Sequence, residues 1–562
     1  MSPDFFKLPV TYQENDPIKM AIRKYKNHPS ILMIKRKVKN IGIFSFFPVD
    51  EDAVRAEISL LDTSKASPIH YSSKHHQENL NIFSKKINID FNASVVSGVF
   101  PNNLKYADVS PVFKQGDRSD KSNYRPISIL PAMSKIFEKL YSYQISKYLE
   151  PYLSIYQCGF RKNMGAQNCL LYLLEKWRKC LDKKGSTGIL LTDLSKAFDC
   201  LRHDLFLAKL NAYGFDYNSI KLINSYLTGR FQRVRINANY SSWFEILFGV
   251  PQGSIMGPLC FNIDNSDLFL EDMDSEMSNY ADDNTPFSCQ NDIDSVIDIL
   301  NKDCKVILEW FCNNGFVANP DKFHFLSSAT DKSHYLEVQG NKICDSNCEK
   351  LLGVKIDFKL SFEPHVSTLC RKASQKLHAL ARISHYVTNH QRRKIMKAFI
   401  SSHFGYCPLV WMCHSRKLNN RINNIHERSL RIVYNDYSMS FQDLLRIDKS
   451  VTIPIRNIQA LAIEMYKAAN NMSPEIMRHL LPLRESLRYP TRTIFKSSNI
   501  KTSTYGINSL AYLGPRIWAI IPDDIKKIPT LTLFKTKIKQ WNPDNCPCKL
   551  CKTYVAAVGY ID

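Results

Sequence analysis

The chain has 562 residues, 44% hydrophobic and 23% charged, a balance that excludes an intrinsically disordered protein and calls for several domains or one large multi-part enzyme. Lys and Arg number 75 against 53 Asp and Glu, so the net charge of +22 points to a polyanionic partner such as nucleic acid. No run of about 18 apolar residues is present, which argues against a membrane span. The sixteen cysteines show no regular disulfide spacing, and Met1-Ser2-Pro3-Asp4 is unlike a secretory leader, so the expected setting is a reducing intracellular one, nucleus or cytoplasm.

Residues 1–94 read as an accessory lead-in. Asp16-Pro17 opens a short basic helix reaching Tyr25-Lys26, with the acid as cap and proline at the first helical position. Residues 53–61 form a second amphipathic helix. Residues 67–79 hold His70, His75 and His76, but neighbouring positions on a polar loop rarely converge on a metal, and a loop is the better reading. From about 100 to 360, apolar strands alternate with helical patterns, including 134–149 and 167–181, the mark of a mixed α/β or α+β core.

After about 365 the pattern is mainly helical. Leu377, Leu380 and Ala381, then Ile395, Phe399 and Ile400, recur at i, i+3, i+4 spacing. Residues 371–440 carry thirteen basic residues and two acidic ones, Glu427 and Asp436, a local excess of eleven suited to following a phosphate backbone.

Three blocks carry the chemistry. Ser110-Pro111-Val112-Phe113-Lys114 and Asn123-Tyr124-Arg125-Pro126-Ile127-Ser128 flank Gly116-Asp117, which puts Lys114 and Arg125 on the two arms of a hairpin, where a pair of cations can clamp a triphosphate. Gly188-Ile189-Leu190-Leu191-Thr192-Asp193 is an apolar run ending in a carboxylate, and Tyr280-Ala281-Asp282-Asp283 supplies two more. Successive strand residues face opposite ways, so both acids of the pair can serve one site only at a tight turn, for which Asn284-Thr285-Pro286 are the expected turn residues. If the two strands pair, three carboxylates meet at one sheet edge, enough for two Mg²⁺ ions and phosphoryl transfer. Finally, Gly249-Val250-Pro251-Gln252-Gly253-Ser254-Ile255-Met256-Gly257-Pro258-Leu259 is a constrained turn before an apolar run, with the Gln252 amide offered to a nucleotide or template base.

Together with Gly159-Phe160-Arg161, the stretch from Asp193 to Asp199, Asn319-Pro320-Asp321-Lys322 and Leu351-Leu352-Gly353-Val354, these ordered blocks resemble the reverse transcriptases of non-LTR (LINE-type) retrotransposons, closest to the jockey-like branch. The resemblance covers residues 95–360 with specific motifs and the basic helical tail more loosely. It implies an α+β right-hand polymerase: fingers and an antiparallel palm over 95–360, a basic helical thumb over 361–445, and a mainly helical C-terminal region over 446–562. It implies that Asp193, Asp282 and Asp283 hold two Mg²⁺ ions with the backbone of Leu194 nearby. Phe198 would exclude a ribose 2′-hydroxyl, Gln252 would lie near the incoming nucleotide and template, and Lys114, Arg125 and Lys322 would meet its phosphates. Gly353 and Val354 would grip the primer end, and Arg371, Lys372, Arg392, Arg393 and Lys394 would track nucleic acid. The implied partners are an RNA template, a DNA primer or target DNA, and deoxynucleoside triphosphates.

The pattern also breaks. The first 90 residues are too few for the endonuclease that such elements usually encode, so a fragment or truncated copy is expected. Residues 65–70 depart from the family. Asp264-Asn265-Ser266 interrupts an apolar segment, which is costly if those groups are unpaired. Cys546, Cys548 and Cys551 suggest zinc but lack an obvious fourth ligand, His414 being a distant candidate. Two other readings stand beside the polymerase: a non-catalytic nucleic-acid-binding relic of the same fold, and an RNA-directed RNA polymerase, against which Phe198 and Tyr280-Ala281-Asp282-Asp283 argue.

Overall fold

The computed structural model describes residues 16–63, 77–192, 194–195, 197–329, 334–484, 494–496 and 498–542. The chain start, residues 65–70, the three histidines at 70, 75 and 76, Asp193, and the cysteines at 546, 548 and 551 lie outside them. The strands in chain order are β1 (Tyr106–Phe113), β2 (Tyr124–Ile129), β3 (Ser186–Leu191), β4 (Leu194–Ser195), β5 (Arg230–Ile236), β6 (Asn239–Tyr240), β7 (Phe244–Ile246) and β8 (Glu276–Tyr280). They continue with β9 (Asp283–Gln290), β10 (Val317–Ala318), β11 (His324–Ser327), β12 (Tyr335–Val338), β13 (Asn341–Ser346), β14 (Cys348–Leu351) and β15 (Val354–Asp357). Helix and sheet are mixed, as the alternation of patterns leads one to expect. The described cysteines are free thiols, and among the described residues no helix is long and apolar enough to cross a membrane.

The chain divides into two compact units. The first comprises Met1–Ser154, Leu194–Asp272 and Val306–Ala318. Its opening helix, Pro17–Lys24, starts as expected, with the Asp16 carboxylate accepting from the Ile18 and Lys19 N–H groups and Pro17 at the first position. The next expected helix is shifted toward the N-terminus, to Glu51–Ser59, because Asp50 caps it by accepting from the Ala53 N–H. The sheet runs β2-β1-β5-β6, with β7 also on β5; β1 pairs antiparallel with β2 and parallel with β5. Helices Leu80–Ser97, Ala132–Leu149 and Tyr217–Leu227 bury Phe91, Phe137, Tyr141 and Tyr226 in the core.

The polar run after Ile263 is compensated at its acids and at Ser266, while the buried Asn265 amide has no hydrogen-bond partner among the described residues. It ends the helix Met256–Asn265 and is fully enclosed, but Lys209, itself 0% exposed, answers it. The Lys209 ammonium lies 2.8 Å from Asp267 and 3.3 Å from Asp264, and donates to the Asp264 carbonyl at 2.5 Å. Asp267 also accepts from the Trp310 indole N–H at 2.7 Å, and Ser266 pairs with the Tyr213 hydroxyl at 2.7 Å. Burial drives the Asp264 carboxyl up, with Lys209 opposing; burial presses the ammonium down, and the two carboxylates overcome it and raise it. The interruption is thus a buried ion cluster, invisible in sequence because its cation lies more than fifty positions upstream of Asp264.

The second unit comprises Ile155–Asp193, Met273–Lys305 and Asn319–Asp562. Its six-stranded sheet runs β12-β13-β11-β3-β9-β8, antiparallel throughout except for the parallel pair β11/β13. The helix Ala166–Asp182 packs against it through Leu170, Leu173 and Trp177. The remainder is mainly helical, led by Glu363–Ile383, Arg416–Tyr434 and Ile453–Ala469. Leu377 and Leu380 are buried as their spacing requires. The second triplet is not wholly inward, since Phe399 is 56% exposed while Met396 and Ile400 are buried. Residues Met396–Ile400 form a π-helical turn, and its wider winding shifts the phase of the apolar stripe.

Candidate active site

Asp282 and Asp283 stand at the tip of the β8–β9 hairpin. Tyr280 pairs with Asp283, leaving Ala281 and Asp282 as the two turn residues. Ala281 has φ +61° and Asp282 is not in the positive-φ region, the pattern of a type II′ turn. The expected turn at Asn284-Thr285-Pro286 is therefore corrected: those residues belong to β9 and are buried, and the bend lies before them, at Ala281-Asp282. Placing one acid in the turn and the next at the strand start releases the pair from strict strand alternation. Both are half-buried.

A non-glycine residue in the left-handed region is strained and persists where its surroundings hold it. Here the holder is the segment before helix Ala166–Asp182. Cys158 N–H donates to the Asn279 carbonyl at 2.9 Å, and Asn279 N–H donates to Tyr156 at 3.1 Å. This brings Gly159 so close that a Cβ there would lie 2.2 Å from the Ala281 nitrogen. Only glycine fits beneath the turn.

β3 pairs antiparallel with β9, and a further bridge sets Thr192 opposite Asn284. The strand that leads to Asp193 therefore ends beside the acidic hairpin, as the sequence reading requires, although Asp193 itself is outside the described residues. β11 flanks β3 on its other side, with His324 opposite Leu191, so Lys322, in the exposed turn just before β11, belongs to the same end of the sheet. The donor set there is two adjacent carboxylates, hard oxygen ligands of the kind Mg²⁺ takes. Among the described residues no group of three or more His, Cys, Asp and Glu is gathered for a metal. The pair suits a divalent ion whose shell is completed by phosphates and water.

The other expected residues lie in the first unit, apart from those of the basic segment and the β14–β15 turn. Phe198 is half-buried and stacks on Phe261 at 5.0 Å and 24°. The Gly249–Ser254 loop binds the same neighbourhood: Val250 N–H donates to the Phe198 carbonyl at 3.0 Å, and the Gln252 amide donates to Asp199 at 3.1 Å. The Gln252 carbonyl accepts from Ser128 N–H at 2.7 Å, and Gly253, at φ +120°, lies where a Cβ would meet the Ser128 carbonyl at 2.7 Å. Lys114 and Arg125 are exposed on the β1–β2 hairpin; Arg125 faces Val112, and Lys114 continues the ladder by donating its N–H to Asn123 at 2.8 Å. They are diagonal neighbours on one face. Leu194 has a buried side chain and pairs with Ala318.

One residue of this neighbourhood escapes the sequence reading. Glu138, fully buried, accepts from the Ile255 and Met256 N–H groups at 2.6 and 3.1 Å and so caps the helix that follows the Gln252 loop. Burial raises its carboxyl, with Arg230 and the two N–H groups opposing. Its only sequence signal is an acid amid the apolar positions of a helix.

The turn after β14 is Leu352-Gly353, both at positive φ, and the Leu352 carbonyl accepts from the Tyr406 hydroxyl at 2.7 Å. Gly353 lies at that tip, whereas Val354 is buried in the core. In the basic segment, Arg371, Lys372 and Lys394 are exposed. Arg392 instead donates to the Ile432 and Val433 carbonyls at 3.0 and 3.3 Å, and Arg393 pairs with Asp448 at 2.5 Å.

Residues 112–356 match the family model described as "Reverse transcriptase (RNA-dependent DNA polymerase)". The chain is 24% identical over 360 residues to a probable RNA-directed DNA polymerase from transposon BS of Drosophila melanogaster, covering 61% of this chain and 40% of that protein. It is 26% identical over 366 residues to the probable RNA-directed DNA polymerase from transposon X-element of the same species, covering 62% and 39%. To the RNA-directed DNA polymerase from mobile element jockey of Drosophila funebris it is 26% identical over 356 residues, covering 61% and 39%. The matched part spans about two fifths of the length of these relatives. Residues 112–356 are thus similar to reverse transcriptase domains, and the chain that carries them is similar to the RNA-directed DNA polymerases of jockey and other Drosophila transposons.

Proposed function

We propose that this chain is the RNA-directed DNA polymerase of a non-LTR retrotransposon, joining a deoxynucleoside triphosphate to a primer 3′-hydroxyl opposite an RNA template. The observation that carries this reading is the β3/β9 register, which ends the Asp193 strand beside the strained Asp282-Asp283 turn inside a reverse transcriptase domain. Asp193, Asp282 and Asp283 would hold two Mg²⁺ ions. Bound there, the ions supply activation of the primer hydroxyl and neutralisation of charge on the departing pyrophosphate.

The chain's own groups do the positioning. Lys114, Arg125 and Lys322 bind and orient the phosphates. Phe198, backed by Phe261, presents a flat wall against a ribose 2′-hydroxyl. Gln252, fixed by Asp199 and by Ser128, lies against the base pair being formed. Gly353 steers the primer end, and the exposed Arg371, Lys372 and Lys394 follow the phosphate backbone. In this reading 95–360 is fingers and palm and 361–445 the thumb of a right-hand polymerase, flanked by the 1–94 lead-in and the 446–562 C-terminal region.

Primer extension on poly(rA)/oligo(dT) with Mg²⁺ tests it. The expected outcome is dTMP incorporation by the wild type and none by Asp282→Ala, with the two proteins melting alike. Extension by Asp282→Ala would overturn the assignment, and incorporation of ribonucleotides would turn the reading toward an RNA polymerase.

A further inference from the structure

Phe198 lies in the 3-10 turn Ala197–Asp199, and its backbone is held by the Gly249–Ser254 loop. Val250 N–H donates to its carbonyl at 3.0 Å, and a Cβ on Gly249 would come within 2.6 Å of the same oxygen. This fixes where the side chain starts. It does not fix the ring, because a half-buried phenylalanine still has staggered rotamers to choose from. The ring is set by what it stacks on. Phe261 is buried and nearly parallel to it, at 5.0 Å and 24°. Phe316 stands edge-on to Phe261 at 6.2 Å and 88°, and Trp310 stacks on Phe316 at 5.6 Å and 14°. Phe316 and Trp310 are buried, and all four rings belong to the first unit.

The far end of the row is anchored by charge. The Trp310 indole N–H donates to Asp267 at 2.7 Å. The Lys209 ammonium that pairs with Asp267 at 2.8 Å also lies 5.1 Å from the centre of the Trp310 ring. A buried indole that donates to a buried, paired carboxylate is held in one orientation. Close packing passes that orientation from ring to ring. A second link runs along the backbone. Directly after Phe316, Val317 and Ala318 pair with Ser195 and Leu194, the strand that leads into the Phe198 turn. The stretch from Trp310 to Ala318 therefore reaches Phe198 twice, by rings and by main chain.

Rigidity of this kind matters for one choice in particular. An apolar surface rejects an added hydroxyl by only about 10²-fold, and a displacement of about 1 Å is enough to change a rate by that much. We propose that Trp310 and Phe316, anchored on the buried Lys209–Asp267 pair, are positioning residues that hold the Phe198 ring against a ribose 2′-hydroxyl and so set the preference for deoxynucleotides over ribonucleotides. The inference rests on the polymerase reading and on the place of Phe198 in it.

The test is the ratio of kcat/KM for dTTP to that for UTP on poly(rA)/oligo(dT), measured with the full chain. Phe316→Leu removes the ring behind Phe261. It should lower the ratio by roughly 5- to 50-fold, within the roughly 10²-fold that an apolar wall supplies, through a lower KM for UTP and with kcat for dTTP unchanged. Phe316→Met fills the same space with a flexible chain; it should melt close to the wild type and still lower the ratio, which sets a folding defect aside. Trp310→Phe keeps a ring and loses the N–H to Asp267, and should lower the ratio by less. Phe198→Val should lower it most. In the Phe198→Val background Phe316→Leu should add nothing, because the ring it positions is gone, whereas a merely structural role would give the same loss in both backgrounds. An unchanged ratio in the Phe316 variants or in Trp310→Phe, a loss of kcat for both nucleotides alike, or additive losses would overturn the inference. The two claims separate in the controls. A wild type that prefers dTTP, and loses that preference in Phe198→Val but not in Phe316→Leu or Phe316→Met, sinks the inference alone. A wild type that incorporates neither nucleotide, or a Phe198→Val protein with undiminished preference, sinks the reading beneath it and the inference with it.

Discussion

The two large sheets are built from similar hairpins and finished differently. In the second unit, Ile189, Phe287, Phe325 and Leu326 are each 4% exposed or less, so the strands that lead to Asp282 and Asp283 are locked by packing as well as by hydrogen bonds. In the first unit, one side of the sheet is open, and Lys114 and Arg125 sit on a hairpin with exposed arms. On the proposed reading the difference follows from the chemistry each would do. Carboxylates that share metal ions must be placed before the ligand arrives, because like charges do not gather unaided. Long cationic side chains can complete their geometry on an anionic ligand, so a stable hairpin is enough to present them.

The largest expected effect is at the locked hairpin. Asp282→Asn removes one of the charges proposed to hold the ions and keeps the shape of the turn. Primer extension should fall by on the order of 10³-fold or more, the scale of several kcal/mol of charge stabilisation, while the melting temperature stays the same. A residual rate within about ten-fold of wild type, a difference of roughly 1.4 kcal/mol, would show that the acidic pair is not the ion site.

In the first unit the next largest effect is expected at the buried ion cluster, which is held by helical segments. Lys209→Met strands Asp264 and Asp267 in the core. Chemical denaturation should report a loss of about 3–5 kcal/mol, and Lys209→Met combined with Asp264→Leu and Asp267→Leu should recover much of it. A Lys209→Met protein as stable as wild type would mean that the carboxylates are protonated in the fold.

Gly159→Ala tests the lock itself. Its Cβ would press on the Ala281 nitrogen, and the turn must shift to admit it. Overpacking of this kind costs roughly 1–3 kcal/mol, and extension should fall by about 10²-fold through misplacement of the acids. Unaltered extension would show that the turn position is set from elsewhere.

How much of this was legible in sequence follows the range of the interactions. The Asp16 cap, the helices Ala132–Leu149 and Ala166–Asp182 and the β1–β2 hairpin announce themselves locally, by period and by turn residues. The ordered motif blocks located the acidic hairpin and the Gln252 loop. The exact bend at Ala281 was not legible, since alanine carries no turn signal and its positive φ is imposed by the Gly159 segment more than a hundred positions away. Lys209 and Glu138 were silent for the same reason: each matters through a partner far along the chain. Within the basic segment, composition alone could not separate cations that meet solvent from cations that hold the protein together.

That separation gives the smallest effect and the finest test. Arg371 is exposed on the helix Glu363–Ile383, so Arg371→Ala should leave melting unchanged and reduce the slope of log affinity for nucleic acid against log salt by roughly 1, the signature of one lost phosphate contact. Arg392 instead caps the carbonyls at the end of the helix Arg416–Tyr434. Arg392→Ala removes charged hydrogen bonds worth about 1.5–3 kcal/mol, so it should lower the melting temperature while the salt slope holds. The two arginines stand in one basic run and differ only in what the fold has placed beside them. If both substitutions lowered the slope equally, the run would act as an undivided track and the Arg392 contacts would be incidental. If neither did, Arg371 would lie off the phosphate path, and the exposed Lys372 and Lys394 would be left as the cations of the run to carry it.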